Sequence, residues 1–179
     1  LCYCHLEGAH QAFELLKKGQ KQYPAPFSGS AVRVKKNTSI YLSVLVPAFN
    51  EANRILSNVR EIKKVLSGLG WTYEIVIVDD GSDDDTYEII EMLSREVREL
   101  RVFRSERNIG KGMALRQAAL KAEGEIVAFL DADLELHPRL IADMIQRMKA
   151  QEADVVLGSK RHPESALHYP WHRKIISNI

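Results

Sequence analysis

From Tyr41 onward the chain predicts an α/β protein with a mostly parallel central sheet flanked by helices. Three observations carry that prediction. Short apolar runs rich in β-branched residues alternate with longer segments whose apolar positions recur every three to four residues. The run Ile126–Leu130 is uncharged throughout, as expected of a parallel strand buried on both faces. Each strand hands over to a polar loop, and parallel strands bring such loops to one edge.

The elements follow in order. Residues 41–46 (YLSVLV) form the first strand, which Pro47 is expected to end because it cannot donate to a ladder. Asn50 is expected to cap a helix whose stripe is Ile55, Val59, Ile62, Leu66 and Leu69, stopped by Gly68 and Gly70. Residues 74–78 (EIVIV) give the second strand, closing on Asp79, Asp80, Gly81 and Ser82. A helix carrying Ile89, Ile90, Leu93, Val97 and Leu100 precedes a short strand at Val102 and Phe103. The loop Arg107–Gly112 leads into a helix over Met113–Lys121. After the strand Ile126–Leu130, Pro138 starts a helix with Ile141, Met144, Ile145 and Met148 facing inward. Residues 154–158 (DVVLG) are expected to form a fifth strand. Residues 1–40, with a short helical pattern at Ala12–Lys18 and a Pro/Gly/Ser stretch at Tyr23–Ser30, read as a basic arm and linker outside the core.

Composition excludes several classes. A formal net charge of +1 gives no reason to expect nucleic acid as a partner. Basic residues gather at both ends, which suits either plain solvation or an anionic membrane surface. Cys2 and Cys4 are the only cysteines, so the core is thiol-free and fits a reducing, cytoplasmic compartment. With His5 and His10 they lack a second cluster at zinc spacing. No run reaches the length of a transmembrane helix. The chain opens on Leu1 and stops at Ile179 within a helical pattern, so the domain from residue 41 to 179 is expected to be C-terminally incomplete.

The chemistry gathers at the carboxyl ends of the strands, in Pro47–Glu51, Asp79–Ser82, Asp131–Glu135 and Gly158–Arg161. Asp131 and Asp133 lie one residue apart after an apolar strand, where two carboxylates repel and neither is easily buried unpaired. A divalent cation relieves that repulsion, and Mg2+ or Mn2+ takes one or two carboxylates together with substrate phosphates. Glu135 supplies either a third oxygen to the metal or a first-turn carboxylate for the next helix. Asp79 is expected to contact a nucleobase or ribose, whereas Ser82–Asp85 read as a helix-capping turn. Asn108, Gly110, Lys111 and Gly112 either approach a phosphate or only permit a tight turn, and they do not form a Walker A motif. Arg161 and Arg173 are candidates for anionic groups, although Arg173 also fits a plain surface helix.

The set VPAFNEANRI (46–55), VDDGSDDDT (78–86), RNIGKGMAL (107–115), LDADLELHP (130–138) and GSKRHPES (158–165) resembles glycosyltransferase family 2, in order and spacing. Within that family it is most similar to the polyprenyl- and dolichyl-phosphate mannose and glucose synthases. The resemblance implies the GT-A fold and a nucleoside-diphosphate sugar of the UDP-glucose or GDP-mannose type, bound with Mg2+ or Mn2+. By the same resemblance Pro47, Phe49, Glu51, Asp79, Asp80, Lys111, Asp131 and Ala132 line the nucleotide-sugar site. Asp131, Asp133 and Glu135 hold the metal, and Asp133, Arg161 and Arg173 serve catalysis. Glu135 stands where mannose-type synthases usually carry Gln. Lys160 or Arg161 replaces the arginine of the usual Gly-Ser-Arg, and Arg173 with Ser177 resembles an Arg-x-x-x-Ser element. The implied reaction moves a hexose with inversion to a polyprenyl phosphate at the cytoplasmic face of a membrane. A saccharide or other hydroxyl acceptor is the alternative, and a non-catalytic nucleotide-binding domain is a second. A phosphatase of the haloacid dehalogenase type also uses Asp-x-Asp, but there the pair opens the domain, whereas here Asp79-Asp80 comes first.

Overall fold

The computed structural model describes residues 39–158. The chain divides into two compact units, with described residues 39–142 in one and 143–158 in the other. Arg161, Arg173, Lys160, Ser177 and the elements expected within residues 1–38 lie outside the described residues.

The first unit holds strands β1 (Leu42–Ala48), β2 (Tyr73–Asp79), β3 (Leu100–Arg104) and β4 (Ile126–Phe129). Helices α1 (Ile55–Ser67), α2 (Thr86–Glu96) and α3 (Lys111–Lys121) connect them, and α4 (Leu140–Ala150) begins in this unit and continues in the second. The sheet order is β3-β2-β1-β4 and every pairing is parallel. The chain runs outward from β1 to β3 and then returns to the other side of β1. That reversal makes a topological switch between β1 and β4, where open parallel sheets place ligands.

Both faces of β1 and β2 are buried, which is why their sequences run apolar without alternation. Leu45, Val76 and Val78 pack against Ala114, Ala118 and Ala122 of α3 and the residue that follows it. The four-residue spacing puts these alanines on one helix face, and their small side chains let the helix lie close to the sheet. Ile55, Val59, Ile62 and Leu66 are the buried stripe of α1, as the periodicity predicts.

A polar clasp closes the amino-terminal end of the sheet. Glu74 is 2% exposed and accepts from Ser43 Oγ at 2.5 Å, from Arg101 Nη1 at 2.6 Å and from the Glu123 amide. Ser43 Oγ in turn accepts from the Gly124 amide at 2.7 Å. A Cβ on Gly124 would stand 2.6 Å from Ser43 N, so only glycine fits where the chain enters β4. Burial raises the Glu74 pKa, but the bonds from Ser43, Glu123 and Arg101 and the Arg101 charge outweigh it and hold the carboxyl below its ordinary range.

Several local expectations are corrected. Pro47 lies inside β1, paired with Val78. The Leu45 carbonyl accepts from Leu130 on the β4 side and the Ala48 carbonyl accepts from Asp80 on the β2 side. Pro47, in phase with Leu45, therefore turns its nitrogen past the last β1–β4 pair, where no ladder bond is lost. Asn50 does not cap α1. Arg54 holds the N-cap position, and Asn50 sits four residues earlier with a left-handed φ of 53°. Val97 and Leu100 are not helical: α2 closes with the Val97 amide on the Leu93 carbonyl, and Leu100 opens β3. The helix α3 begins at Lys111, two residues before the expected start. Among the described residues β4 is an edge strand, and Val127 and Phe129 are half-exposed rather than buried. Residues 154–158 form no strand, and Val155 and Leu157 are exposed.

Candidate active site

A cleft of about 390 Å³ opens at the carboxyl edge of the sheet, within the first unit. Pro47 and Ala48 reach it from the end of β1 and Phe49 and Glu51 from the loop that follows, Asp80 after β2, Asn108, Gly110 and Lys111 after β3, and Asp131, Ala132 and Asp133 after β4. Its size suits a small-molecule ligand. Each contributor closes one of the four parallel strands or lies between that strand and the first residue of the next helix, so parallel topology brings them to one edge.

The two loops after β1 and β2 are stitched together by side chains. The Asn50 amide donates to Ser82 Oγ at 3.0 Å, and the Asp83 amide donates to Asn50 Oδ1 at 3.0 Å. The Glu51 amide donates to Thr86 Oγ1 at 2.8 Å, and the Ala52 amide to Asp84 Oδ2 at 3.1 Å. Burial raises the Asp84 pKa, but the bonds from Thr86 and Ala52 outweigh it and the carboxyl stays below its usual range. The acidic run after β2 is thus partly consumed in holding Glu51 and Ala52 beside the cleft.

The two aspartates of β2 do different things. Asp79 is fully buried and does not line the cleft. Its carboxylate accepts from Ser82 Oγ and from the Ser82 amide, and Arg104 Nε lies 3.2 Å from its Oδ2. Arg104 is itself set over the Tyr87 ring at 4.5 Å. Asp80 faces the loop after β3. Its carboxylate accepts from the Ile109 and Gly110 amides, each at 2.9 Å, and so fixes the path of the chain just before Lys111. Gly81 makes that approach possible. Its φ is +72°, and a Cβ there would stand 2.5 Å from the Arg107 carbonyl carbon.

The Asp-Ala-Asp turn is held from α1. Asn58 Nδ2 donates to the Ala132 carbonyl at 2.7 Å. Leu134 takes a left-handed φ of 52° and its amide donates to the Asp131 carbonyl at 3.0 Å. A bulky residue in that region is uncommon, and such strain clusters at ligand sites. The Glu135 amide donates to Asp133 Oδ1 at 3.1 Å. The Glu135 side chain is exposed and does not line the cleft, so Asp131, Asp133 and Glu135 do not gather as a three-carboxylate centre. Among the described residues no group of three or more His, Cys, Asp or Glu is placed to hold an ion.

Two carboxylates nevertheless fit a hard cation that completes its shell with phosphate and water. Asp131 Oδ1 is enclosed and, among the described residues, takes no hydrogen bond beyond its ion pair with Lys111 Nζ at 2.5 Å. Among the described residues that line the cleft, four are carboxylates (Glu51, Asp80, Asp131 and Asp133) and one, Lys111, is a cation. Such a lining favours a bound cation.

Of the residues expected from the sequence, the structure brings Pro47, Phe49, Glu51, Asp80, Lys111, Asp131, Ala132 and Asp133 together, and leaves Asp79 behind the cleft wall and Glu135 outside it. Sequence reasoning missed Asn58, Arg104, Asp84 and Thr86, which touch loops rather than ligand. Asp84 and Thr86 fall in the acidic turn and motif already singled out, and Asn58 is an amide beside the apolar positions Ile55 and Val59 of a regular stripe.

The Glycosyl transferase family 2 profile matches residues 43–178. The chain is 31% identical over 140 residues to Glycosyltransferase AglD of Haloferax volcanii, a match covering 77% of this chain and 22% of that protein. It is 34% identical over 148 residues to a dolichyl-phosphate beta-glucosyltransferase of Trichomonas vaginalis, covering 78% of this chain and 46% of the relative. With dolichol-phosphate mannosyltransferase of Pyrococcus furiosus the identity is 32% over 137 residues, covering 76% and 38%. The chain thus spans less than half the length of these curated relatives. The crystal structure of residues 1–349 of S. aureus TarS superimposes with a TM-score of 0.54 at 28% identity, covering 73% of this chain and 40% of that one. The mannosyltransferase PcManGT of Pyrobaculum calidifontis, solved with GDP-Man and Mn2+, gives 0.53 at 24% identity over 78% and 38%, a likeness of fold alone. The parallel sheet, its covering helices and these structural neighbours agree on the GT-A fold. With the profile running through β1, β2, the loop of Lys111 and the Asp-Ala-Asp turn, the chain belongs to glycosyl transferase family 2.

Proposed function

We propose that this domain transfers a hexose, with inversion, from a nucleoside-diphosphate sugar to a polyprenyl phosphate. The observation that carries the reading is the cleft at the β1/β4 switch, where Asp131 and Asp133 stand beside Lys111 at the carboxyl edge of the sheet. Relatives named as dolichyl-phosphate glucosyltransferase and dolichol-phosphate mannosyltransferase support the acceptor class. A donor of the UDP-glucose or GDP-mannose type suits a cleft of this size and lining.

In this reading Asp131 and Asp133 hold Mg2+ or Mn2+, which supplies Lewis-acid stabilisation of the departing diphosphate. Phe49, 40% exposed, offers an aromatic face to the base, and Pro47, Glu51 and Ala132 line the same cleft. Asp80 acts by taking the Ile109 and Gly110 amides and so holding the loop, which leaves Lys111 to face the phosphates. Asp79 contributes by fixing the Ser82 turn through Arg104. Arg161 and Arg173 are assigned to the anionic acceptor. A phosphate oxygen is already ionised near neutral pH, so it attacks the anomeric carbon without a strong general base, and positioning and electrostatics supply the rest. Basic flanks at both ends of the chain favour docking at the cytoplasmic face of an anionic membrane.

Transfer of radiolabelled glucose or mannose from UDP-glucose or GDP-mannose to dolichyl phosphate tests this directly, with dolichol and free saccharides as parallel acceptors. The reading expects Mn2+- or Mg2+-dependent product with the phosphate only. Product on a hydroxyl acceptor instead reassigns the acceptor, and no transfer from either donor in the presence of metal refutes the proposal.

A further inference from the structure

The cleft carries a feature that the transfer reaction does not by itself require. Lys111 is the first residue of α3, a helix with no acidic residue in its first turn. A cation at that end opposes the helix dipole, so the position is unfavourable unless an anion compensates. Asp131 supplies one from another strand, with Lys111 Nζ 2.5 Å from Oδ1. That oxygen is enclosed and, among the described residues, accepts from no other donor. Of the neighbouring acids, Asp80 is committed to two amides, while Glu51 Oε2, also enclosed without a hydrogen bond, has its own cation in Arg54 Nη2 at 3.2 Å, three residues along the chain.

We propose that Lys111 is an internal counter-ion that occupies Asp131 until a diphosphate draws it away, so that nucleotide and divalent cation bind as a coupled pair. The inference rests on the metal-dependent reading above and deepens it. A metal ion on Asp131 would stand beside an ammonium group held on the same carboxylate, and repulsion between the two cations favours displacement of Lys111 when metal enters alone. A diphosphate offers the ammonium an equivalent anionic partner, which removes that cost. The side chain is 58% exposed on a flexible four-carbon stem, rooted between Gly110 and Gly112, so it can swing without disturbing the core. By linkage, whatever the lysine adds to the coupling is felt equally by nucleotide and by metal.

The test is a Mn2+ titration followed by electron paramagnetic resonance, on the whole chain and on Lys111→Met and Lys111→Arg. Each is run without nucleotide, with UDP and with GDP, and nucleotide affinity is measured separately without metal. Lys111→Met is expected to tighten Mn2+ alone by about two- to fivefold, the range of a partly exposed ion pair. The same variant is expected to weaken metal-free UDP or GDP by about tenfold, the loss of a charge-assisted hydrogen bond. Lys111→Arg keeps both affinities near the wild-type values. Opposite shifts from one substitution cannot come from damage to the fold, which weakens both ligands. Unchanged or weaker Mn2+ binding in Lys111→Met overturns the counter-ion role while leaving the metal site standing. A wild-type chain that takes up no Mn2+ even with UDP or GDP overturns both this role and the reading beneath it.

Discussion

Replacing Asp80 with alanine tests whether one buried carboxylate holds the loop of Gly110 at the cleft. Asp80 is 3% exposed and accepts two amide hydrogen bonds, from Ile109 and Gly110 at 2.9 Å each. A hydrogen bond to a charged group contributes about 1.5–3 kcal/mol, so the pair sets an upper bound of about 3–6 kcal/mol. Two facts lower that figure. The Gly110 amide keeps a second acceptor in Asn108 Oδ1 at 3.0 Å, and Asn108 and Gly110 are exposed, so water can reach the freed donors. The expected loss is therefore about 2 kcal/mol, read in urea as a fall of roughly 1 M in the midpoint at an ordinary slope. Nucleotide affinity, measured calorimetrically with UDP or GDP and Mn2+, is expected to fall about tenfold because the loop must be reordered on binding. Asp80→Asn falls between, since its amide group accepts one bond and presents a donor to the other amide. A stability change under about 0.5 kcal/mol together with unchanged nucleotide affinity would refute the anchoring role and assign the loop's shape to its own Asn-Ile-Gly turn.

Glu74→Gln removes the charge from the clasp, and a loss of about 2–3 kcal/mol is expected because Arg101 keeps Glu123 at 2.9 Å. Since the folded Glu74 carboxyl titrates below its ordinary range, its stabilisation is complete above the unfolded value of about 4.3 and disappears as pH falls through the folded one. The wild-type and Gln unfolding curves should therefore differ by a constant amount from pH 6 to 8 and converge below about pH 4; a gap that persists into acid contradicts the assignment. Gly81→Ala forces a Cβ into the Arg107 backbone at a positive φ, and about 2 kcal/mol or more should be lost in the same urea assay. Asp133→Ala should abolish metal-dependent sugar transfer with the thermal midpoint nearly unchanged, because this half-buried carboxylate accepts only the Glu135 amide among the hydrogen bonds described here. Retained transfer would sink the metal assignment.

The sheet and its order of helices were legible because burial on both faces forces long apolar runs in β1 and β2, and because the α1 stripe follows the helical period closely. The cleft was legible for a topological reason: parallel strands end together, so polar residues after each apolar run must meet. What sequence could not supply was direction within a doublet. Asp79 and Asp80 are chemically identical, and only the pleat, which sends alternate side chains to opposite faces, decides that Asp79 turns to Arg104 and Asp80 to the Gly110 loop. Pro47 misled for a similar reason. Its missing donor matters only on the side where a neighbour pairs, and β4 stops pairing with β1 at Phe129. Asn50 has the composition of a helix cap, but the stitching to Ser82 and Asp83 captures it first. Val155 and Leu157 have the pattern of a strand, yet local propensity is only a weak guide where pairing decides the outcome.

The central claim is that Asp131 and Asp133 form a nucleotide site that needs a divalent cation. The most direct measurement is the thermal midpoint of the whole chain with UDP, GDP, UDP-glucose and GDP-mannose, each with and without Mn2+, beside Asp131→Asn. A ligand that binds only the folded state adds about 2.7 kcal/mol at a hundredfold excess over Kd, a rise of several degrees for a domain of this size. That rise is expected with one of the two bases, only when Mn2+ is present, and is lost in Asp131→Asn. An equal rise without metal, or one that survives Asp131→Asn, would contradict the claim.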